Sequence, residues 1–184
     1  MRSLTFVLGG ARSGKSTFAQ QLALEQAGHD VLYIATYRVT ENAPADVEMQ
    51  TRINRHRASR PVAWQTLELG DDLVAIHAVF QKRPSRVVLL DCLSLYISGE
   101  LFMQSETPHM PEDAAVDAMN RLFDTIQAID SNWIVVSNEV GAGVVPDNAI
   151  ARAYRDAIGR SNQMVASRAD SVYFLVAGLP MKLK

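Results

Sequence analysis

The chain of 184 residues carries 18 basic and 20 acidic side chains, a formal net charge of −2, with 48% hydrophobic and 21% charged residues. This is the balance of a soluble globular chain long enough to bury a core without staples; it excludes a disordered polymer and a general nucleic-acid binder with a strong positive field. The single cysteine, Cys92, excludes an internal disulfide and a cysteine-built zinc cage, and reads as a small buried hydrophobe.

Along the chain, short apolar runs alternate with helical stretches. Residues 4–8 form an apolar run ending in Gly9-Gly10 and read as a first strand. Residues 16–27 follow at helical spacing, with Phe18, Ala19 and Leu22 inward and Gly28 as the stop. Residues 31–35 read as strand two, and 36–45 as a loop. A helix is expected over 46–58, opened by acidic residues and stopped before Pro61. A short strand is expected at 62–67, then a helix at 71–81 with Leu73, Ile76, His77 and Phe80 on one stripe.

Residues 86–90 read as a buried strand ending at Asp91, followed by a short helix over 95–102 and a polar loop at 104–111. The apolar face of a long helix at 112–130 comprises Val116, Met119, Leu122, Phe123 and Ile126. A strand at 133–136, a Gly- and Pro-punctuated loop at 138–148, a helix at 150–168 and a strand at 172–176 complete the pattern, with 181–184 as an added edge strand. Strands alternating with helices predict one α/β domain over residues 1–184, with a mainly parallel sheet between helical layers. Ligands of such sheets bind at the carboxyl ends of strands, so the loops after Leu8, Ala35, Leu90 and Ser137 are expected to share one edge. No apolar run approaches the roughly 20 residues that span a bilayer. Gly9 and Gly10 interrupt the first apolar stretch too early for a leader, so a cytoplasmic location is expected.

The sharpest local signal is Gly9-Gly10-Ala11-Arg12-Ser13-Gly14-Lys15-Ser16, a full G-x-x-x-x-G-K-S between a strand and a helix. Backbone N–H groups and the helix N-terminus can cradle phosphate there; Lys15 supplies a cation and the Ser16 hydroxyl a ligand for Mg²⁺. The run Val87-Val88-Leu89-Leu90 ends in Asp91, the expected second metal ligand, although an aspartate there can also cap the next helix. Arg52, Arg55, Arg57 and Arg60 surround His56 in the densest basic region of the chain. By local pattern alone this is a solvated helix face; its chemical alternative is a histidine nucleophile among phosphate-binding arginines. His29, His77 and His109 are weaker candidates, with His77 expected as a satisfied core residue.

Taken together, these motifs resemble the bifunctional adenosylcobinamide kinase/adenosylcobinamide-phosphate guanylyltransferase family. The resemblance runs through the P-loop, Tyr33-Ile34-Ala35-Thr36, Arg52-Ile53, His56, Arg60-Pro61, Trp64, Thr66 and Glu68. It continues with Asp91-Cys92-Leu93, Ser137-Asn138-Glu139-Val140-Gly141, Val145-Pro146, Arg155-Asp156, Gly159, Asn162-Gln163, Ala169-Asp170 and Gly178. It implies a RecA-like P-loop domain and two reactions. ATP or GTP phosphorylates adenosylcobinamide; GMP then passes from GTP to the new phosphate through a guanylylated histidine, here His56. By the same matching, Gly9 to Ser16, Ile34, Ala35, Thr36, Arg57, Ala58, Ser59, Arg60, Glu68 and Asp91 would contact GTP. A homotrimer is a further implication, while Mg²⁺ is expected from the P-loop chemistry itself and no nucleic-acid partner is expected because no aromatic-basic surface accompanies the cluster. Tyr96 and Gly99 stand where the family often carries Trp and Asn, which puts a corrinoid contact there in question, and Leu69 stands where Pro is common; by position alone, Asn138, Glu139 and Gly141 at the strand-end edge are the candidates for the corrinoid site. Two readings compete: a P-loop small-molecule kinase without nucleotidyl transfer, and a nucleotide-dependent switch or nucleic-acid-binding ATPase supported only by the basic cluster.

Overall fold

In a computed structural model, which describes residues 2–37, 47–58, 60–69, 72–102 and 111–184, the elements run β1 (Ser3–Gly9), α1 (Lys15–Ala27), β2 (Val31–Ala35), α2 (Val47–Ala58), β3 (Gln65–Glu68), α3 (Val74–Lys82) and β4 (Val87–Asp91). They continue with α4 (Leu93–Phe102), α5 (Pro111–Ala128), β5 (Asn132–Asn138), α6 (Ala149–Arg168), β6 (Ser171–Val176) and β7 (Leu179–Lys182). The loops expected at 36–45 and 104–111 lie largely outside the described residues, as does His109.

The strands form one seven-stranded sheet in the order β3-β2-β4-β5-β1-β6-β7. All neighbours pair parallel except the β6–β7 hairpin. Parallel pairing brings the ends of β2, β4, β5 and β1 to one edge, as the alternation of elements predicts: Ala35 is in register with Asp91, Asp91 with Val136, and Gly9 with Asn138.

Strand alternation sorts the side chains onto two faces. Val7, Tyr33, Val87, Leu89, Ile134 and Val136 point to the layer containing α1 and Trp64. Phe6, Ile34, Val88, Leu90 and Val135 point to the layer built by α3, α4, α5 and α6. On α1 the fully buried positions are Ala19 and Ala23, while Phe18 and Leu22 flank them half-buried. Small residues let the helix lie close to the sheet, and Phe18 packs edge-on against Tyr173 at 5.2 Å. On α5, Met119, Leu122, Phe123 and Ile126 are buried as their spacing predicts, joined by Ala115 and Ala118, whereas Val116 is only half-buried.

Several expectations change, among them the edge strand, which runs over Leu179–Lys182 and not 181–184. The third strand begins at Gln65, not Val62, because residues 61–64 turn: Trp64 N–H donates to the Pro61 carbonyl at 3.0 Å. Trp64 then packs beneath the sheet and donates from Nε1 to the Gly28 carbonyl at 3.0 Å. His77 is half-buried and lines a cavity between α3, α4 and α5 instead of filling the core. Tyr96 is buried and donates its hydroxyl to the Ala118 carbonyl at 3.2 Å, and Gly99 is buried too, so these positions of α4 serve packing. Among the described residues no helix is long and apolar enough to cross a membrane.

Candidate active site

At the centre of the carboxyl edge, β1 ends in Gly9 and α1 begins at Lys15. A Cβ at Gly9 would stand 2.5 Å from Ser13 Oγ and 2.8 Å from the Leu175 carbonyl, so the loop closes this tightly only over glycine. Arg12 (φ 57°) and Gly14 (φ 91°) adopt left-handed backbone, the kind of local conformation from which anion nests are built, and between them Ser13 N–H donates to the Gly10 carbonyl at 3.3 Å. For Arg12 this conformation costs about 1–2 kcal/mol, strain held at the loop that would wrap phosphate. Lys15 is buried and donates from Nζ to the Gly10 carbonyl at 3.1 Å, folding its ammonium over its own loop. The Ser13 hydroxyl is buried with no hydrogen-bond partner. The hairpin turn at Ala177-Gly178 braces the flank: Gly178 N–H donates to the Ser13 carbonyl at 2.9 Å.

Two strands away, Asp91 closes the metal side. Ser16 donates from Oγ to Asp91 Oδ1 at 3.3 Å, and the Tyr33 hydroxyl donates to Asp91 Oδ2 at 2.7 Å. Strand parity explains the meeting, since Tyr33 and Asp91 lie on the face that α1 covers. Burial first, and then the Asp91 charge, push the Tyr33 phenol well above its ordinary value, so it remains a proton donor. The Arg60 guanidinium lies over the Tyr33 ring at 4.0 Å. Ser16, Asp91, Tyr33 and Arg60 therefore form one contact chain from the P-loop to the segment that follows α2. A hydroxyl and a carboxylate side by side suit a hard divalent cation that takes its remaining ligands from water and phosphate.

Thr36 clamps the turn after β4: its Oγ1 donates to the Cys92 carbonyl at 2.7 Å and accepts from Cys92 N–H at 2.9 Å. Burial pushes the Cys92 thiol up, with Asp91 adding to the shift, so this sulfur stays protonated and inert as the sequence suggests. Ile34 points into the α4–α6 layer and is fully buried, which turns its side chain away from the edge. Ala35 sits beside Glu68, the last residue of β3, and its carbonyl accepts from Leu69 N–H at 2.8 Å.

In the basic cluster, Arg57 and Glu68 form an exposed ion pair and Ala58 ends α2, exposed. His56 stands half-buried in the last turn of α2. Ser59 and the Arg52 side chain lie outside the described residues.

Sequence reasoning names Tyr33 only within the matched run Tyr33-Ile34-Ala35-Thr36 and gives it no chemical role. It offers Asn138, Glu139 and Gly141 as positions at the strand-end edge, but not the polar chain that forms behind that edge. Asn138 donates to Ser94 Oγ at 2.6 Å, and Asn162 donates from Nδ2 to the Asn138 carbonyl at 3.0 Å. Glu139 N–H donates to the Gly9 carbonyl at 3.0 Å, tying the end of β5 to the P-loop. The one signal for this group is polarity: Ser137-Asn138-Glu139 interrupts an otherwise apolar run.

A phosphate-wrapping loop and a carboxylate two strands away, on a parallel sheet with β5 between them, define a P-loop nucleotide-binding protein of the RecA-like class. Solved structures of that fold are similar to it. One, an isolated ATPase domain, matches with a TM-score of 0.55 at 13% identity, over 94% of this chain and 69% of its own. The flagellar accessory protein FlaH from Methanocaldococcus jannaschii matches with a TM-score of 0.50 at 19% identity, over 99% and 78%. More narrowly, the chain belongs to the CobU family, cobinamide kinase / cobinamide phosphate guanyltransferase, whose model matches residues 5–183. It is 40% identical over 186 residues to the bifunctional adenosylcobalamin biosynthesis protein CobP of Pseudomonas aeruginosa, covering 100% of this chain and 98% of that one. To the bifunctional adenosylcobalamin biosynthesis protein CobU of Escherichia coli K12 it is 36% identical over 189 residues, covering 98% and 99%.

Proposed function

We propose that the chain catalyses two successive reactions at this edge. ATP or GTP phosphorylates the hydroxyl of the aminopropanol arm of adenosylcobinamide. GTP then gives GMP to that phosphate, yielding adenosylcobinamide-GDP and pyrophosphate. The observation that carries the reading is the Ser16–Asp91 pair beside Lys15, in a chain matched to the family along residues 5–183.

Gly9, Gly10, Ala11, Arg12, Ser13 and Gly14 wrap the nucleotide phosphates with backbone N–H groups, and Lys15 moves from the Gly10 carbonyl to the phosphate oxygens. Ser16 and Asp91 would hold Mg²⁺, which would supply positive charge beside the leaving phosphate. Thr36 and Ala35 border the nucleotide through the fixed turn after β2. Ile34, buried in the opposite layer, serves by holding that strand in place. Arg57, Ala58, Ser59, Arg60 and Glu68 form the outer wall.

In the second reaction the imidazole of His56 attacks the α-phosphorus of GTP. An N–P bond forms, the P–O bond to pyrophosphate breaks, and the acceptor phosphate later displaces the imidazole. Splitting the transfer in two lets one P-loop serve both substrates. The helix carrying His56 moves toward the P-loop for this step, and Arg60 over Tyr33 is its point of attachment beside Asp91. A homotrimeric assembly follows the family resemblance, and a single domain, a cytoplasmic location and the lack of a nucleic-acid partner follow the length, pattern and charge of the sequence.

Incubation with adenosylcobinamide, ATP and GTP tests the scheme by chromatography of the corrinoid products. The phosphate is expected first, then the GDP ester with one pyrophosphate released per ester. Accumulation of the phosphate alone would reduce the protein to a kinase.

A further inference from the structure

Phosphoryl and guanylyl transfer both need an acceptor delivered to the edge of the P-loop, and the P-loop has two flanks. On the β6 side the hairpin turn closes it: a Cβ at Gly14 would stand 3.1 Å from Gly178 Cα, and Gly178 is bonded to Ser13. On the β5 side the chain leaves the edge through Glu139, whose N–H is bonded to the Gly9 carbonyl. The Glu139 carboxylate in turn accepts from Gly141 N–H at 2.6 Å. Gly141 is the lip of a cleft of about 490 Å³ lined by Glu112 of α5 and by Arg155, Asp156, Arg160 and Gln163 of α6. The cleft is thus two hydrogen bonds from the first residue of the P-loop, at the strand ends where ligands of such sheets bind.

Its lining is chemically specific. On α6, Arg155 and Gln163 lie two turns apart, and Asp156 and Arg160 one turn apart on the adjoining ridge. The other side of the helix is buried through Ala157, Ile158, Ser161, Asn162 and Val165. Arg155 makes one long contact to Asp156, Nε to Oδ1 at 3.4 Å, and Arg160 is exposed with no ion pair among the described residues. Gly159, on the floor, has nothing within 4 Å of a Cβ position. By contrast, the larger cavity of about 530 Å³ between α3, α4 and α5 holds an arginine already committed, Arg121, paired with buried Glu100.

We infer that the cleft between the residue 139–143 loop and α6 is the acceptor site, in which Arg155 and Arg160 bind the phosphate of the corrinoid's aminopropanol arm. Glu112, Asp156 and Gln163 receive carboxamides at the ring edge. Guanidinium forks match a phosphate dianion, and carboxylates and an amide match primary amides. A cavity of this size holds the arm and its phosphate and leaves the ring outside. The inference rests on the reaction scheme proposed above and adds the acceptor's place to it.

The test uses Arg155→Ala, Arg160→Ala, their double variant and Gly159→Leu, which fills the floor where there is open space. The KM for adenosylcobinamide phosphate in guanylyl transfer is expected to rise about 10-fold in each arginine variant and about 100-fold in the double. The KM for unphosphorylated adenosylcobinamide rises less. Gly159→Leu raises both without lowering the melting temperature. Labelling of the protein by GTP alone stays at the wild-type level in all four, which also certifies folding. Equilibrium dialysis with adenosylcobinamide phosphate and no nucleotide reports the same loss directly. Acceptor KM values within twofold of wild type in the double variant and in Gly159→Leu, with labelling intact, would overturn the assignment. A wild-type chain that neither labels nor turns over would instead overturn the scheme beneath it.

Discussion

Replacing Tyr33 by phenylalanine deletes one oxygen atom at the junction between the proposed metal site and the His56 segment. The ring remains, so the Arg60 guanidinium keeps its seat at 4.0 Å, while Asp91 Oδ2 loses a donor at 2.7 Å. A hydrogen bond to a charged group contributes about 1.5–3 kcal/mol. Asp91 is half-buried and water can partly replace the phenol, so the lower end applies. A loss of about 1.5 kcal/mol lowers the melting temperature of a chain this long by about 3–6 °C. The variant also changes the alkaline limb. Because the folded phenol holds its proton more tightly than the unfolded one, its contribution is complete below the ordinary tyrosine value of about 10. It is lost as pH rises beyond that, where the unfolded chain releases the proton first. Wild-type stability therefore falls more steeply above about pH 10 than that of Tyr33→Phe. Urea denaturation of both proteins at neutral and alkaline pH measures the difference, and a cycle with Asp91→Asn isolates the pair. Equal stabilities at neutral pH with parallel alkaline slopes would refute the coupling of Tyr33 to Asp91.

Ala177 holds left-handed backbone (φ 51°) in the hairpin turn that braces the P-loop. Ala177→Gly is expected to stabilise the protein by about 1 kcal/mol, a rise of about 2–4 °C in thermal denaturation. The ion pair of Arg57 and Glu68 has both side chains about half exposed, so Arg57→Ala is expected to change stability by less than about 1 kcal/mol. The same substitution weakens GTP binding in a titration, because it removes a guanidinium from the proposed outer wall.

The strand-helix alternation and the P-loop are legible in the sequence because each rests on a local rule: a buried parallel strand is a continuous apolar run, and the loop after it has a fixed spacing of glycines. Asp91 is legible for the same reason, as a charge ending such a run. What stays hidden depends on neighbours distant in the chain. Tyr33 meets Asp91 only because β2 and β4 are adjacent and parallel, a pairing that a reading of β2 alone does not contain. The start of β3 shifts because Val62 and Trp64 look like strand residues, whereas Val62 is exposed in a turn and Trp64 is anchored to the end of α1. Tyr96 and Gly99 read as altered ligand positions, yet their burial follows from α4 packing against α5. Arg155-Asp156, Gly159, Gln163 and Gly141 are singled out in the sequence, but their assembly into one cleft is not, because it depends on the loop after β5 lying against α6.

The central claim is that one P-loop serves a histidine nucleophile. It is tested most directly by incubating the protein with Mg²⁺ and GTP labelled at the α-phosphate, without acceptor, and mapping the label by peptide mass spectrometry. The account predicts an alkali-stable, acid-labile GMP adduct on the peptide containing His56, released on adding adenosylcobinamide phosphate and absent from His56→Ala, which still binds GTP. An adduct that persists in His56→Ala, or product formation by that variant at the wild-type rate, would contradict it.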